Sequence, residues 1–268
     1  MNQPPAPDEQ QRRLSAFFTS LRDAPRAVLL LDYDGTLAPF RIDRDAAVPY
    51  PGVPELLARI ASSGRTRLAV VSGRSVQALL RLLPQSLPLE LWGTHGSEHR
   101  YPDGRYVLLQ PDPATQVAFR QAINIARLLG YQSALEIKPT ALALHWRGRS
   151  ENWIRGAQNN VLTSWRRLAT RTPLEVLEFD GGVELRARGF DKGQVVRALL
   201  QEEPEGIPFA YLGDDLTDED AFRVLRGRGL TALVRETFRP TEADLWLRPP
   251  NDLLAFLENW AKATGAKA

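Results

Sequence analysis

The sequence predicts an α/β protein: a core built on a buried parallel sheet, with a smaller α+β domain inserted into it. Three observations predict it. Short apolar runs without polar alternation, among them Ala27-Val28-Leu29-Leu30-Leu31 and Leu68-Ala69-Val70-Val71, read as strands covered on both faces, as parallel strands are. From about residue 111 the texture changes to helix, strand, strand, and then repeats, which makes a small α+β layer. The buried-strand texture returns at Phe209-Ala210-Tyr211-Leu212. The expected boundaries are residues 1–109 and 188–268 for the core and 110–187 for the insertion.

Taken in order, residues 1–10 are polar and proline-rich and read as a disordered lead-in. Leu14, Phe17, Phe18 and Leu21 have helical spacing, so a short amphipathic helix precedes the first strand. Pro51-Gly52 opens a helix over 53–63 that Gly64 ends. The strand at 68–71 leads to a helix over 76–83, and Leu89-Glu90-Leu91-Trp92 is a third strand. Residues 100–109 read as a hairpin about Pro102-Asp103-Gly104. The insertion holds a helix over 114–129, strands at 133–137 and 141–146, a helix over 152–169, and strands at 174–179 and 183–187. A helix over 194–201 and the strand at 209–212 follow, then strands at 230–234 and 245–247 and a closing helix over 253–260. Residues after Ala261 are expected to fray.

Composition narrows the function. With 25% charged and 43% hydrophobic residues the 268-residue chain has the make-up of a soluble globular protein. The net charge is +2 and no lysine or arginine run stands out, so nucleic-acid binding has little support. The chain has no cysteine, which excludes disulfides and thiolate metal sites. No apolar stretch approaches membrane-spanning length, and the N-terminus does not read as a secretory signal, so a soluble cytoplasmic protein is the expectation.

The chemistry collects at the strand ends. The first strand runs into Asp32-Tyr33-Asp34-Gly35-Thr36-Leu37, and residues two apart at a strand end point the same way, so both carboxylates can reach one ligand. One could attack an electrophile while the other moves a proton, or a divalent cation could sit between them; alternatively both form Asx turns before Gly35. The second strand ends at Ser72-Gly73-Arg74-Ser75, where a hydroxyl and freed amides suit an oxyanion, or where a serine caps the next helix. Gly93-Thr94-His95-Gly96-Ser97-Glu98 offers His95 and Glu98 at a third strand end, a histidine that could equally be a turn residue. Lys192 opens a helix, where a cation is electrostatically unhelpful, so it is either required by an anion or a surface lysine. After the strand at 209–212 come five acids in seven residues, Asp214 to Asp220. Asp218, Glu219 and Asp220 could complement a helix start with Thr217 as its cap, while Asp214 and Asp215 lie nearest the strand end. Hard oxygen ligands of this kind, joining Asp32, suit Mg²⁺.

Four motifs in this order, Asp32-Tyr-Asp-Gly-Thr-Leu37, Ser72-Gly-Arg74, Lys192 in Asp-Lys-Gly, and Gly213-Asp-Asp215 followed by Asp218, resemble the haloacid dehalogenase-like phosphatases. Within them the chain is similar to the trehalose-6-phosphate phosphatase family. That likeness rests on Gly93-Thr-His-Gly-Ser-Glu98, Glu136-Ile-Lys138, His145-Trp-Arg147 and Gly213-Asp-Asp-Leu-Thr-Asp-Glu-Asp-Ala-Phe222. It spans most of the chain from Leu29 to about Phe222, and departs at Trp146, where the family more often has Tyr.

The resemblance implies a Rossmann-like core interrupted by a cap after the third strand, with Asp32 as nucleophile and Asp34 as general acid, then base. Ser72, Gly73 and Lys192 would hold the phosphoryl group. Mg²⁺ would be bound by the Asp32 side chain, the Asp34 carbonyl and Asp214, with Asp215 and Asp218 in support. His95, Gly96, Glu98, Glu136, Lys138, Arg147 and Glu184 are the implied sugar contacts, although Trp146 could instead be cap core and Arg147 a surface ion-pair partner. The substrate class is a small sugar phosphate, and a monomer is the expectation. A related phosphatase for sucrose phosphate, glucosylglycerol phosphate or mannosyl-3-phosphoglycerate is the alternative, followed by a non-catalytic sugar-phosphate-binding module. A nucleotide-binding oxidoreductase lacks support, because no Gly-x-Gly-x-x-Gly follows the first strand.

Overall fold

The computed structural model describes residues 3–41, 43–84, 87–179 and 181–266. The chain forms two compact units, Met1–Val107 with Asp191–Ala268, and Leu108–Phe190. The first begins with α1 (Pro7–Asp23), β1 (Ala27–Leu31), α2 (Val53–Ser62), β2 (Thr66–Val71), α3 (Val76–Leu82), β3 (Glu90–Gly93), β4 (Glu98–Arg100) and β5 (Tyr106–Leu108). The second holds α4 (Pro113–Leu128), β6 (Leu135–Ile137), β7 (Ala141–His145), α5 (Glu151–Ala157), α6 (Thr163–Ala169), β8 (Leu174–Phe179) and β9 (Gly182–Ala187). The chain closes with α7 (Lys192–Glu202), β10 (Phe209–Gly213), α8 (Glu219–Leu225), β11 (Leu230–Val234), β12 (Leu245–Leu247) and α9 (Asn251–Ala263).

Among the described residues the large sheet has the order β12-β11-β10-β1-β2-β3-β4-β5. Its run from β12 to β3 is parallel, and β4 pairs antiparallel with β3. The order steps outward in opposite directions from β1, so the crevice beyond its carboxyl end is the place where a parallel sheet of this kind binds ligands. All five residues of β1 are buried. Leu29 and Leu31 enter the apolar layer that contains α2 and α9, whereas Val28 and Leu30 enter the layer of α7 and α8. That division explains the unbroken apolar run.

In the second unit four antiparallel strands, β6-β7-β9-β8, carry a separate apolar core centred on Trp165, Leu144 and Leu185. The helical stretch expected over 152–169 is α5 and α6 joined by a π turn, Gln158–Leu162.

Two expectations at the chain ends are corrected. The lead-in is helical from Pro7, because proline suits the first helical position and Asp8 and Glu9 complement the helix dipole. Phe17 and Phe18 then pack tilted against Trp260 and Phe256 at ring distances of 5.7 and 5.4 Å. Met1 and Asn2 lie outside the described residues. The last helix does not fray after Ala261: it continues to Ala263, and the buried Thr264 donates its hydroxyl to the Trp260 carbonyl at 3.0 Å. Lys267 and Ala268 lie outside the described residues. No described helix is long and apolar enough to cross a membrane.

One buried charge ties the sheet together behind the strand ends. Glu90 accepts a two-pronged pair of hydrogen bonds from Arg67 at 2.7 and 2.9 Å and one from Trp92 Nε1 at 3.0 Å. His99 Nε2 lies 2.7 Å from the same carboxylate, and its ring stacks on Trp92. Burial alone would push the Glu90 carboxyl up, but the bonds from His99 and Arg67 outweigh it and hold the value at about 2, below the ordinary 4.5. A depressed acid stabilises the fold above its unfolded value and loses that contribution as pH falls through its folded value. Glu90 should therefore contribute on the order of 3 kcal/mol above about pH 5, fading towards pH 2. In urea titrations the gap between wild type and Glu90→Gln should close over that window; a gap independent of pH would refute the assignment.

Candidate active site

Three loops at the carboxyl end of the parallel sheet build the site. Asp32 follows β1, and its amide donates to the Leu212 carbonyl of β10 at 2.9 Å, which registers the two strand ends. Its carboxylate is 3% exposed, and Lys192 Nζ donates to Oδ1 at 2.7 Å. Lys192 is the first residue of α7, capped by Asp191, whose side chain accepts the Gln194 amide. The ammonium also donates to Asp218 Oδ1 at 2.8 Å. It is thus buried between two carboxylates rather than held in solvent.

Asp218 is the hub of the acidic loop. Oδ1 also accepts the Tyr211 hydroxyl at 2.7 Å, and Oδ2 accepts the amides of Asp214 and Asp215 at 3.1 and 3.0 Å. Thr217 does not cap α8, which has no side-chain cap; it lies in a 3-10 turn, Leu216–Asp218, capped by Asp215, whose carboxylate accepts the Leu216 amide at 2.7 Å in a reciprocal capping box with Asp218. Asp215, two residues beyond the strand end at Gly213, immediately precedes that turn, whereas Thr217 lies inside it. Asp214, by contrast, has no hydrogen-bond donor on either carboxylate oxygen although it is 2% exposed. Arg235 Nη1 lies 3.9 Å from Asp214 Oδ2.

Asp32, Asp214 and Asp218 each bring a carboxylate oxygen within 4.8 Å of the others. Gly35, at φ +80°, lets the first loop close on them: a Cβ there would lie 2.2 Å from Asp214 Oδ2. The electrostatics record the crowding. Burial pushes the Asp32 carboxyl up to about 7, with Lys192 opposing and Asp218 adding repulsion. Burial also raises Asp214 well above the carboxylate range, with Asp32 and Asp218 as further causes. Burial would lower Lys192, but Asp218 and Asp32 outweigh it and raise it. Three buried carboxylates facing one ammonium, with a donorless Asp214 among them, fit a hard divalent cation such as Mg²⁺.

Asp34 is placed differently from the sequence expectation of two acids aimed at one ligand. Its carboxylate sits in the fork of Arg74, with Nε to Oδ2 at 2.7 Å and Nη2 to Oδ1 at 2.6 Å. Arg74 is buried, whereas the Asp34 side chain is 28% exposed. Sequence reasoning gave Arg74 no role. Its place beside Ser72-Gly73, one strand away from the acids, was the available signal.

Ser72 is buried and its Oγ accepts the Arg74 amide at 3.1 Å, while Ser75 caps α3 by accepting the Ala78 amide at 3.2 Å. Gly73 leaves room for its neighbour: a Cβ there would lie 2.7 Å from His95 Nε2 and displace the imidazole. Thr94 and His95 both adopt left-handed backbone, φ 46° and 55°, a costly pair for residues with side chains. The turn is held by the His95 amide to the Ser72 carbonyl at 2.9 Å and the Thr94 amide to the Arg74 carbonyl at 2.7 Å. Gly96 packs against Val195 of α7. Glu98 is engaged from three sides, by the Val76 amide at 3.0 Å, the Thr94 hydroxyl at 2.5 Å and the Tyr106 hydroxyl at 3.2 Å.

In the second unit Glu136, Ala143 and Glu184 share one register row. Glu136 lies 2.7 Å from His145 Nε2, and Lys138 donates to Glu184 at 3.0 Å. Alternation along the strands places Glu136, His145, Glu184 and Arg186 on one face, where Arg186 forks onto Glu175 at 2.6 and 2.9 Å. His145 and Arg186 had no assigned role in the sequence reading. Trp146 packs against the apolar core of this unit, and the Arg147 amide donates to the Gly181 carbonyl at 3.2 Å.

The probable trehalose-phosphate phosphatase C of Arabidopsis thaliana is 29% identical, covering 94% of this chain and 83% of the plant protein. The trehalose-phosphate phosphatase of Mycobacterium tuberculosis is 32% identical over 89% of this chain and 62% of its own length. The solved structure of Aspergillus fumigatus trehalose-6-phosphate phosphatase superposes with a TM-score of 0.69 at 25% identity, covering 97% of this chain and 100% of that one. A haloacid dehalogenase-like hydrolase from B. subtilis, 14% identical with a TM-score of 0.61, shares the fold. Residues 30–246, which contain every strand-end motif described above, match the trehalose-phosphatase family model, and the chain belongs to that family, phosphoric monoester hydrolases of the haloacid dehalogenase-like fold.

Proposed function

We propose that this protein hydrolyses trehalose 6-phosphate to trehalose and inorganic phosphate, with Asp32 as the nucleophile. The observation that carries the reading is the buried Asp32 carboxylate, held by Lys192 at 2.7 Å beside an Asp214 that no hydrogen-bond donor engages. Asp32 attacks phosphorus as the bond from phosphorus to the sugar oxygen breaks, leaving an aspartyl phosphate. Asp34 gives its proton to the departing sugar oxygen, then takes one from the water that attacks phosphorus and frees Asp32. Asp34 must exchange the Arg74 fork for these partners, since both of its carboxylate oxygens accept from the guanidinium. Lys192 and Ser72 hold the phosphoryl oxygens, and Lys192 offsets the repulsion between carboxylate and phosphate. Mg²⁺, held by Asp32 and Asp214 with the Asp34 carbonyl that the resemblance implies, would supply charge neutralisation on the transferring group. Asp218 and Asp215 shape the loop rather than reach the substrate.

Glu136, Lys138, Glu184 and Arg147 are the proposed sugar contacts in the second unit, and His95 and Gly96 in the first. Glu98 supports the left-handed turn that presents His95, because its oxygens already accept three donors. A site whose polar groups pair with sugar hydroxyls rejects esters that lack them.

The direct test is phosphate release from a panel of sugar phosphates with Mg²⁺ and with chelator. Trehalose 6-phosphate should be preferred, and chelation should remove turnover; preference for sucrose phosphate or mannosyl-3-phosphoglycerate would move the assignment to a related phosphatase. Asp34→Asn should keep divalent-cation binding and lose about 10²–10⁴-fold in turnover, the usual worth of acid–base help. Wild-type turnover in that variant would show that Asp34 moves no proton.

A further inference from the structure

We propose that Arg239 is a positioning residue for the cation site: together with Glu219 it fixes the backbone from which Asp214 presents its carboxylate. The inference rests on reading Asp214 as a cation ligand.

The dipeptide Asp214-Asp215 is gripped on both edges. On one, its two amides donate to Asp218 Oδ2 at 3.1 and 3.0 Å. On the other, its two carbonyls accept from Arg239, Nε to Asp214 O at 3.2 Å and Nη2 to Asp215 O at 2.7 Å. The Asp214 carboxylate itself accepts no hydrogen bond. Its aim is therefore set through the backbone, and the backbone is set by this pair of grips. Arg239 lies in the loop after β11, and its own anchor is Glu219 Oε1, which Nη1 reaches at 2.5 Å. Glu219 is fixed in turn by the Thr241 hydroxyl and the Glu242 amide, each at 2.8 Å. A planar guanidinium reaches two carbonyls and a carboxylate together, which the single ammonium of a lysine does not. Glu219 thus does more than complement the start of α8: it docks one loop against another at the acidic cluster.

The test is Mn²⁺ binding followed by electron paramagnetic resonance on wild type, Arg239→Met, Arg239→Lys and Glu219→Gln, with thermal melts alongside. Groups that orient a metal ligand without touching the metal typically change affinity by about 10–100-fold. Arg239→Met should bind Mn²⁺ roughly tenfold more weakly, Arg239→Lys should restore little of it, and Glu219→Gln should shift affinity the same way by less. Turnover at saturating cation should stay within a few-fold of wild type. Native Mn²⁺ affinity in folded Arg239→Met overturns the proposal, and so does a loss of turnover at saturation with affinity unchanged. If Arg239→Met does not fold, native affinity in Glu219→Gln overturns it instead. A wild-type protein that binds no Mn²⁺ would refute the cation site itself, which is a distinguishable result.

Discussion

Asp32→Asn should abolish phosphate release, by roughly 10⁴-fold or more, because an amide cannot replace the carboxylate proposed to attack phosphorus. The same substitution should not weaken the cation-free protein. Burial pushes the Asp32 carboxyl up to about 7, with Asp218 and Asp34 adding to the repulsion that Lys192 only partly relieves. An acid whose folded-state value is raised costs stability once pH exceeds its unfolded value, so a neutral amide of the same size removes that cost at pH 7 and above. Asn also retains an oxygen that can accept from Lys192. Melting without divalent cation should therefore occur at or above the wild-type temperature while activity is gone. Inactivity accompanied by a large fall in melting temperature would mean that Asp32 is structural, and near-native activity would remove it as nucleophile.

Lys192→Met should have the opposite stability effect. The ammonium is the counter-charge for Asp32 at 2.7 Å and Asp218 at 2.8 Å, and all three side chains are at least 95% buried. Deleting one partner of a buried pair costs about 3–5 kcal/mol, because the remaining charge is left without compensation. Here two carboxylates lose it, next to a third in Asp214. Millimolar Mg²⁺ should recover part of the lost melting temperature, since it binds where charge is now in excess. Turnover should remain about 10²–10³-fold down even then, the usual penalty for losing one preorganised donor to the reacting group. A Lys192→Met protein with unchanged melting in chelator would show that Lys192 is not the counter-charge.

The fold class was legible because burial leaves a pattern in the chain. An unbroken apolar run such as Ala27 to Leu31 has one economical explanation, a strand with an apolar layer on each side, and the residues do divide between two layers. The grouping of Asp32, Lys192, Asp214 and Asp218 was legible for a related reason: each lies at a strand end or a helix start, and a parallel sheet brings those ends to one edge. Partner choice was not legible. Whether Asp34 faces a ligand or the Arg74 fork depends on how two neighbouring loops turn, and no spacing rule encodes that. Arg239 was invisible for the same reason, since its bonds reach back over twenty residues to carbonyl groups, which every residue possesses. The opening turn of α1, from Pro7 to Gln10, was missed because polar composition was read as disorder; the rest of the helix was legible in the spacing of Leu14, Phe17, Phe18 and Leu21, and two phenylalanines anchor it on α9.

The central strand bears on how firmly Asp32, the proposed nucleophile, is held. Alternate side chains of β1 belong to opposite apolar layers, and its backbone is flanked by β10 and β2. Motion confined to one layer leaves the other in place, so its amides should exchange with solvent only through large-scale opening of the core. The aspartate at its tip should therefore rest on a slowly exchanging strand, with adaptability left to the loops around it.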